Sequence, residues 1–310
     1  MRGAALSARS PRCGLADAPD RTYRRRAVWY VRRVVRRPAI PEPIPVTTWD
    51  PLLEVAREAV DLAAAIVLER RTGRVQAKGD RDYVTEVDLT VERTVRGFLG
   101  QRTPHIGFLG EEEGGRSAKG LTWILDPVDG TSNLAREIPL CGISLGLADG
   151  DDPVLGVIDL PFLRERYAAA PGTKATLNGK KIETRRPTDL ADAVVAIGDY
   201  AVGPGAAERN RTRVAFTELL AATVERVRMF GTAAIDLAWL AAGRTDAAVT
   251  MSNKPWDMAA GVAIAREAGA LVVDADGSHY TLRSTATVAV APALAPAILD
   301  LLRRVDTERS

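Results

Sequence analysis

Residues 121–133 read LTWILDPVDGTSN, and the fold turns on this stretch. Leu121–Leu125 is a short apolar run of the kind that forms a buried strand. It delivers Asp126 to its C-terminal end, where Pro127 bends the chain and withdraws a donor. Asp129 follows three residues on, close enough for both carboxylates to hold neighbouring cations. Gly130 lets the backbone approach a ligand, and the amides after it can point at an anion. Hard oxygen ligands without His or Cys favour Mg²⁺ over Zn²⁺. Two cations about 3.5–4 Å apart are the known arrangement for in-line displacement at phosphorus.

Outward from this stretch, three more acidic patches stand at element ends: Asp88 in DYVTEVD, Glu111–Glu113 after the apolar run Ile106–Leu109, and Asp257 in PWDMAAG. Each has a plain reading of its own. Asp88 completes a capping box with Thr85, the glutamates make a solvated acidic turn, and Asp257 caps a helix. Together they mark one site, because such sites gather at the ends of regular elements. A helix is expected from Asp50, with Pro51 at its first position, a stripe of Leu52, Ala56, Ala59, Ala63 and Ile66, and an end at Arg70, Arg71 and Gly73. A second starts at Thr85, with Val87, Val91, Val95 and Leu99 in register. Ile143–Leu147 and Val154–Ile158 read as strands, and Asp149-Gly150 and Asn178-Gly179 as hairpin turns. Past residue 190 strands at 194–197, 247–250, 271–273 and 287–291 alternate with helices near 206–225, 233–242, 257–268 and 293–304. The first half therefore reads as α+β with an antiparallel sheet and the second as α/β. The expected parts are an extension over 1–47, an α+β domain over 48–190 with most metal ligands, and an α/β domain over 191–305 carrying Asp257.

Composition narrows the function. The chain has 310 residues and a net charge of +2. Residues 1–40 carry eleven Arg against Asp17 and Asp20, a charge of +9, so the remainder carries −7. The basic pI belongs to this tail, and the body gives no support for nucleic acid as a partner. The tail reads as a disordered, Pro-rich extension; a membrane-surface helix and a transit peptide are its alternatives. No run is long enough to cross a membrane. Two Cys make no disulfide framework, which points to a reducing, cytoplasmic compartment. His105 and His279 are the only histidines, too few for a site built on several imidazoles. Neither Cys13 nor Cys141 has an Arg six residues on, Asp149-Gly-Asp151 is a poor aspartyl-nucleophile motif, and neither a Walker loop nor a G-x-S-x-G is present.

The pattern resembles the inositol monophosphatase family of Mg²⁺-dependent, lithium-sensitive sugar-phosphate phosphatases. The likeness rests on DYVTEVD (82–88), GEE (110–112), WILDPVDGTSN (123–133), GTAAIDLAWLAAGRTDA (231–247), PWDMAAG (255–261) and EAGA (267–270), and covers about 48–305. It implies a layered αβαβα sandwich and two or three Mg²⁺. Glu111, Asp126 and the Val128 carbonyl would bind the first ion; Asp126, Asp129 and Asp257 the second. Glu111 and Thr131 would orient and deprotonate water, with Asp88 bonded to Thr131. The amides of Gly130 and Thr131 would hold phosphate, and Gly231, Thr232 and Ala233 would touch sugar hydroxyls. The resemblance also implies a homodimer and a small phosphate ester as substrate.

Two departures stand out. Thr250 replaces the Glu with which inositol-selective members accept ring hydroxyls, and Leu134 replaces an aromatic. Lys78 matches a hairpin lysine of the family, one position from the usual spacing. The expected reaction is hydrolysis of a polyol monophosphate, myo-inositol 1-phosphate first. Histidinol phosphate, fructose 1,6-bisphosphate and a 3′-phosphoadenosine nucleotide are alternative substrates, and a non-catalytic binding protein is a remote alternative.

Overall fold

A computed structural model describes residues 48–69, 75–79, 82–116 and 120–307, with backbone alone at 75–79, 82–85, 116 and 306–307. The readings of the 1–47 extension, of the helix end at Arg70, Arg71 and Gly73, and of the Lys78 side chain lie outside these.

The first helix, α1 (Asp50–Glu69), starts one residue before the expected Pro51, since the amide of Leu53 already donates to the Trp49 carbonyl. Its stripe of Leu52, Ala56, Ala59 and Ala63 is fully buried. A hairpin of β1 (Val75–Gly79) and β2 (Asp82–Thr85) leads into α2 (Glu86–Arg102). There follow β3 (Gly107–Gly110), β4 (Gly115–Arg116), β5 (Leu121–Asp129), the one-turn helix α3 (Thr131–Leu134), β6 (Gly142–Asp149), β7 (Asp152–Leu160), β8 (Glu165–Ala169), β9 (Thr176–Leu177) and β10 (Lys180–Lys181). Strands β3 to β10 form one sheet in the order β10-β9-β8-β7-β6-β5-β3-β4. It is antiparallel as expected, except that β3 runs parallel to β5. That pairing brings the ends of β3 and β5, and with them Glu111 and Asp126, side by side.

The second half holds β11 (Val194–Ile197), α4 (Ala206–Thr223), β12 (Arg226–Arg228), α5 (Ala233–Ala241), β13 (Ala247–Thr250), α6 (Pro255–Glu267), β14 (Leu271–Val273), β15 (Thr287–Val290) and α7 (Ala295–Thr307). Its sheet is ordered β12-β11-β13-β15-β14 and is mixed: β12, β11 and β13 are parallel, while β15 opposes both neighbours.

Five layers result. Helices α1 and α2 cover one face of the large sheet, and α5 and α6 pack between the two sheets. Phe216 and Leu220 of α4 and Ile298 and Leu301 of α7 close the outer face of the small sheet against Val195, Val249 and Val288. The middle layer is thin because it is built from small residues. A Cβ added at Gly156 would lie 2.2 Å from the Ala260 carbonyl oxygen, and one at Gly146 2.6 Å from the Ala259 Cβ. Helix α6 thus lies directly on β6 and β7, with its first turn beside the Asp126 end of β5, where the Ser144 hydroxyl opposite Asp126 donates to the Trp256 carbonyl at 3.4 Å.

Candidate active site

Strand β5 does not end at Asp126, as the sequence led us to expect. It pairs with β6 as far as Asp129, with a break in register between Asp126 and Asp129. Pro127 cannot donate to the ladder, so the chain bulges there. The bulge puts both aspartates at one strand end. Asp126 is 2% exposed, and its Oδ1 accepts the Val128 amide at 3.0 Å. Gly130 then turns with φ 87°, and a Cβ there would meet the Leu140 carbonyl oxygen at 2.9 Å. Only glycine tolerates both conditions, and the turn opens α3 with Thr131 at its start.

Helix α2 supplies Asp88 from its first turn. It is completely buried, and its Oδ1 lies 3.3 Å from the Thr131 hydroxyl. That hydroxyl is also 2.9 Å from the Val128 carbonyl oxygen. The contact with Thr131 ties Asp88 to the turn after β5, while the Thr85 side chain of the expected capping box lies outside the described residues. Glu111 leaves β3 with its amide donating to the Leu125 carbonyl at 3.2 Å. Its carboxylate lies 4.0 Å from the ammonium of Lys254.

The far wall comes from the second half. Gly231 takes φ 74°, and Thr232 caps α5, its hydroxyl accepting the Ile235 amide at 3.4 Å. The same hydroxyl donates to Asp129 Oδ2 at 2.8 Å, and the Ala234 amide donates to that oxygen at 2.5 Å. Ala233 opens the helix. Asp257 sits in the first turn of α6, behind Pro255, while the capping position is Lys254. Thr250 ends β13 beside Gly198. The structure therefore gathers the strand-end acids with the α5 and α6 N-termini.

The acids act on one another. Burial pushes the Asp126 carboxyl well above the usual range, and the charges of Glu111, Asp129, Asp257 and Asp88 add to the rise. Burial lifts Asp129 to about 6; the Ala234 amide and Thr232 hydroxyl oppose the rise, and Glu111 and Asp199 add to it. Such a set suits a divalent cation, because every donor is a hard oxygen and the acids raise one another's pKa. Among the described residues, no three Asp, Glu, His or Cys side chains already close around a metal position. The donors surround Asp126 without forming a tight cage. The chemistry of the donors, all hard oxygens, is of the kind Mg²⁺ takes.

Residues 48–307 match the model of the inositol monophosphatase family. The chain belongs to the inositol monophosphatase family. It is 36% identical over 254 residues to the inositol-1-monophosphatase ImpA of Mycolicibacterium smegmatis, covering 81% of this chain and 92% of that one. It is 33% identical over 227 residues to the Nus factor SuhB of Xylella fastidiosa, covering 73% and 82%. Among solved structures, the extragenic suppressor protein SuhB of Bartonella henselae superposes with a TM-score of 0.76 at 32% identity, over 81% of this chain and 98% of that one. As a member of the inositol monophosphatase family the protein is a phosphoric monoester hydrolase, and the layered α+β architecture is the family's.

Four residues around the site were given no role by the sequence, although Asn133 and Asp236 lie within the matching motifs. Glu92 is a fully buried acid on α2. Asn133 donates to the carbonyls of Leu140 at 2.8 Å and Phe230 at 2.9 Å, joining the two halves behind the site. Asp199 is exposed, and its Oδ2 lies 3.6 Å from where a Gly231 Cβ would be. Asp236 is 2% exposed with one carboxyl oxygen unpartnered, and burial raises its pKa, helped by Asp129 and Asp199. In sequence Glu92 reads as an ordinary acid on a helix face, and Asp199 carries no signal at all.

Proposed function

We propose that the protein hydrolyses a small polyol phosphate monoester in the presence of Mg²⁺, with myo-inositol 1-phosphate first, giving the polyol and inorganic phosphate. The observation that carries this is the field at Asp126, where four further carboxylates raise the pKa of a buried acid at the end of β5. In this reading Glu111, Asp126, Asp129 and Asp257, with the Val128 carbonyl, hold two or three Mg²⁺. When bound, these ions neutralise the developing charge on the phosphoryl and leaving oxygens and acidify water.

The chain's own groups supply the geometry. The Thr131 hydroxyl has two acceptors behind it, Asp88 and the Val128 carbonyl, so its proton is directed inward and its lone pairs are left to accept from water. Glu111 takes the second hydrogen bond of that water and then its proton. Attack in line on phosphorus forms the new P–O bond and breaks the bond to the polyol oxygen, which leaves and takes a proton from solvent water, while the proton on Glu111 returns to solvent. The amides of Gly130 and Thr131 donate to phosphate oxygens. Gly231, Thr232 and Ala233, with Asp129, Thr250 and Asp257, face the polyol. No side-chain nucleophile is needed.

The test is turnover of myo-inositol 1-phosphate, histidinol phosphate, fructose 1,6-bisphosphate and 3′-phosphoadenosine 5′-phosphate, each with Mg²⁺ and with EDTA. Mg²⁺-dependent release of phosphate, fastest from the inositol ester, is expected. Histidinol phosphate turned over well above it would replace the substrate. No Mg²⁺-dependent turnover of any would return the binding-protein reading. Asp126→Asn should lower kcat/KM by about 10²-fold or more, the scale of losing one preorganised electrostatic group.

A further inference from the structure

Asp88, Glu92 and Arg96 follow one another at intervals of four on α2, and so line one face of the helix. Asp88 reaches Thr131 on one side of the site. Glu92 reaches the other side, the loop that carries Glu111. It is fully buried, yet its carboxylate is satisfied in detail. Oε2 accepts the Glu112 amide at 2.7 Å, Oε1 accepts the Glu113 amide at 2.9 Å, and Arg96 donates to Oε1 at 2.7 Å. The same Arg96 nitrogen is 2.7 Å from the Gly114 carbonyl oxygen, and the guanidinium lies over the Phe108 ring at 4.5 Å. Gly110 completes the fit, because a Cβ there would fall 2.3–2.5 Å from the Glu92 carboxyl atoms.

The backbone of loop 110–114 is thus held by the Glu111 amide to β5, the next two amides to Glu92 and the Gly114 carbonyl to Arg96, and the Glu113 side chain accepts from Arg93 at 2.7 Å. A buried carboxylate is an expensive way to hold a loop for stability alone, since an apolar residue of like volume costs less to bury. What Glu92 adds is direction. With its neighbours fixed on both sides, Glu111 has little backbone freedom left, and its carboxylate stays close enough for its charge to act on Asp126.

We infer that Glu92, braced by Arg96, is a positioning residue that presets Glu111 for cation binding. This rests on the proposed Mg²⁺-dependent reaction. Loss of partners that orient metal ligands costs 10–100-fold in metal affinity in other systems. Glutamine at 92 is the informative change: its single oxygen can serve one amide, while its NH₂ turns a donor toward the other.

The experiment compares the full wild-type chain with Glu92→Gln and Arg96→Met. Met keeps an unbranched apolar stem and removes the guanidinium, with both of its hydrogen bonds and its contact with the Phe108 ring. Three readouts are taken: calorimetric titration with MgCl₂ in the absence of substrate, the Mg²⁺ concentration for half-maximal hydrolysis, and the melting temperature in EDTA. Glu92→Gln should raise the Mg²⁺ dissociation constant about 10–100-fold and shift the activity curve in parallel, with kcat at saturating Mg²⁺ much less affected. Arg96→Met should move both in the same direction by less, and it carries the test alone if Glu92→Gln does not fold. Variants that melt lower in EDTA but bind Mg²⁺ with the wild-type constant would overturn the inference and leave the clamp a merely structural one. A wild-type chain that neither binds Mg²⁺ nor hydrolyses with it would instead bring down the proposed reaction, and the inference with it.

Discussion

Thr250 closes β13 next to Gly198, whose missing Cβ would lie 3.1 Å from the Thr250 methyl and 3.2 Å from its hydroxyl. In the proposed reading this side chain faces the polyol, where a hydroxyl accepts a ring hydroxyl less strongly than a carboxylate would. Thr250→Glu should lower KM for myo-inositol 1-phosphate about tenfold, the worth of one charge-assisted hydrogen bond, with smaller change for histidinol phosphate. A parallel fall for both esters, or none, would remove Thr250 from the selectivity argument. Cys141 lies just behind the site and is 1% exposed. Burial, with help from Asp129 and Asp88, lifts its thiol to about 12. It should stay unlabelled by iodoacetamide in the folded protein across neutral and mildly alkaline pH, because the thiolate is the nucleophile; mass spectrometry of the labelled peptide would show it. The residues that could be read in the sequence share one property. Asp126 and Asp129 fall in the last stretch of pairing of β5 and Asp257 in the first turn of α6, so their nearness to element ends gives them a place in the pattern. Glu92 reads as one more acid of an amphipathic helix. Its burial exists only because a loop twenty residues further on folds over it, and no local pattern encodes that.

At the scale of elements, the distance of Asp257 from β5 is set by how closely α6 lies on the sheet. Gly146 and Gly156 make that approach, and Gly261 does the same for α5, where a Cβ would sit 2.4 Å from Leu237 Cδ1. Gly156→Ala forces the methyl into the Ala260 backbone, which has no flexible end to give way. Overpacking of this kind costs about 1–3 kcal/mol. It should also shift Asp257, so activity should fall beyond what lost folding explains. The measurement is denaturant unfolding paired with the Mg²⁺ concentration for half activity; a lower midpoint with an unmoved Mg²⁺ curve would show that α6 absorbs the strain elsewhere. Strands with an apolar run were readable, and β11, β13 and β14 have the bounds the pattern drew. Others were not. β12 reads Arg-Val-Arg and is strand-like only because β11 beside it offers a parallel partner. β9 and β10 are two residues each and owe their existence to the Asn178-Gly179 turn. The bulge in β5 went unread because Pro127 looks like a terminator in sequence, whereas β6 continues to pair past it.

Over the whole molecule the charge is divided, with +9 in residues 1–40 and −7 beyond. The family match begins at residue 48 and every candidate site residue lies after it, so a chain starting at Thr48 should keep the wild-type kcat/KM and Mg²⁺ dependence. The acidic body has a further consequence for stability. A carboxyl whose pKa is higher in the folded than in the unfolded chain holds its proton more tightly when folded. Its ionisation therefore destabilises the fold, by nothing below the unfolded value near 4 and in full above the folded value. Asp129, lifted to about 6 by burial, sets the middle of the window. Asp126 and Asp236, raised well above the usual range by burial and by neighbouring acids, extend it upward. Without metal, the melting temperature should thus fall as pH rises from about 4 through about 6 and beyond. Mg²⁺ binds the ionised form, so its stabilisation should be small near about pH 5 and grow toward about pH 7.5. At a hundredfold excess over the dissociation constant it amounts to about 2.7 kcal/mol, several degrees for a chain of this size. Thermal scans in EDTA and in MgCl₂ at both pH values decide it. An EDTA melting temperature that climbs across this window, or a Mg²⁺ shift of equal size at both ends, would mean that the buried acids are not the groups whose charge the cation relieves.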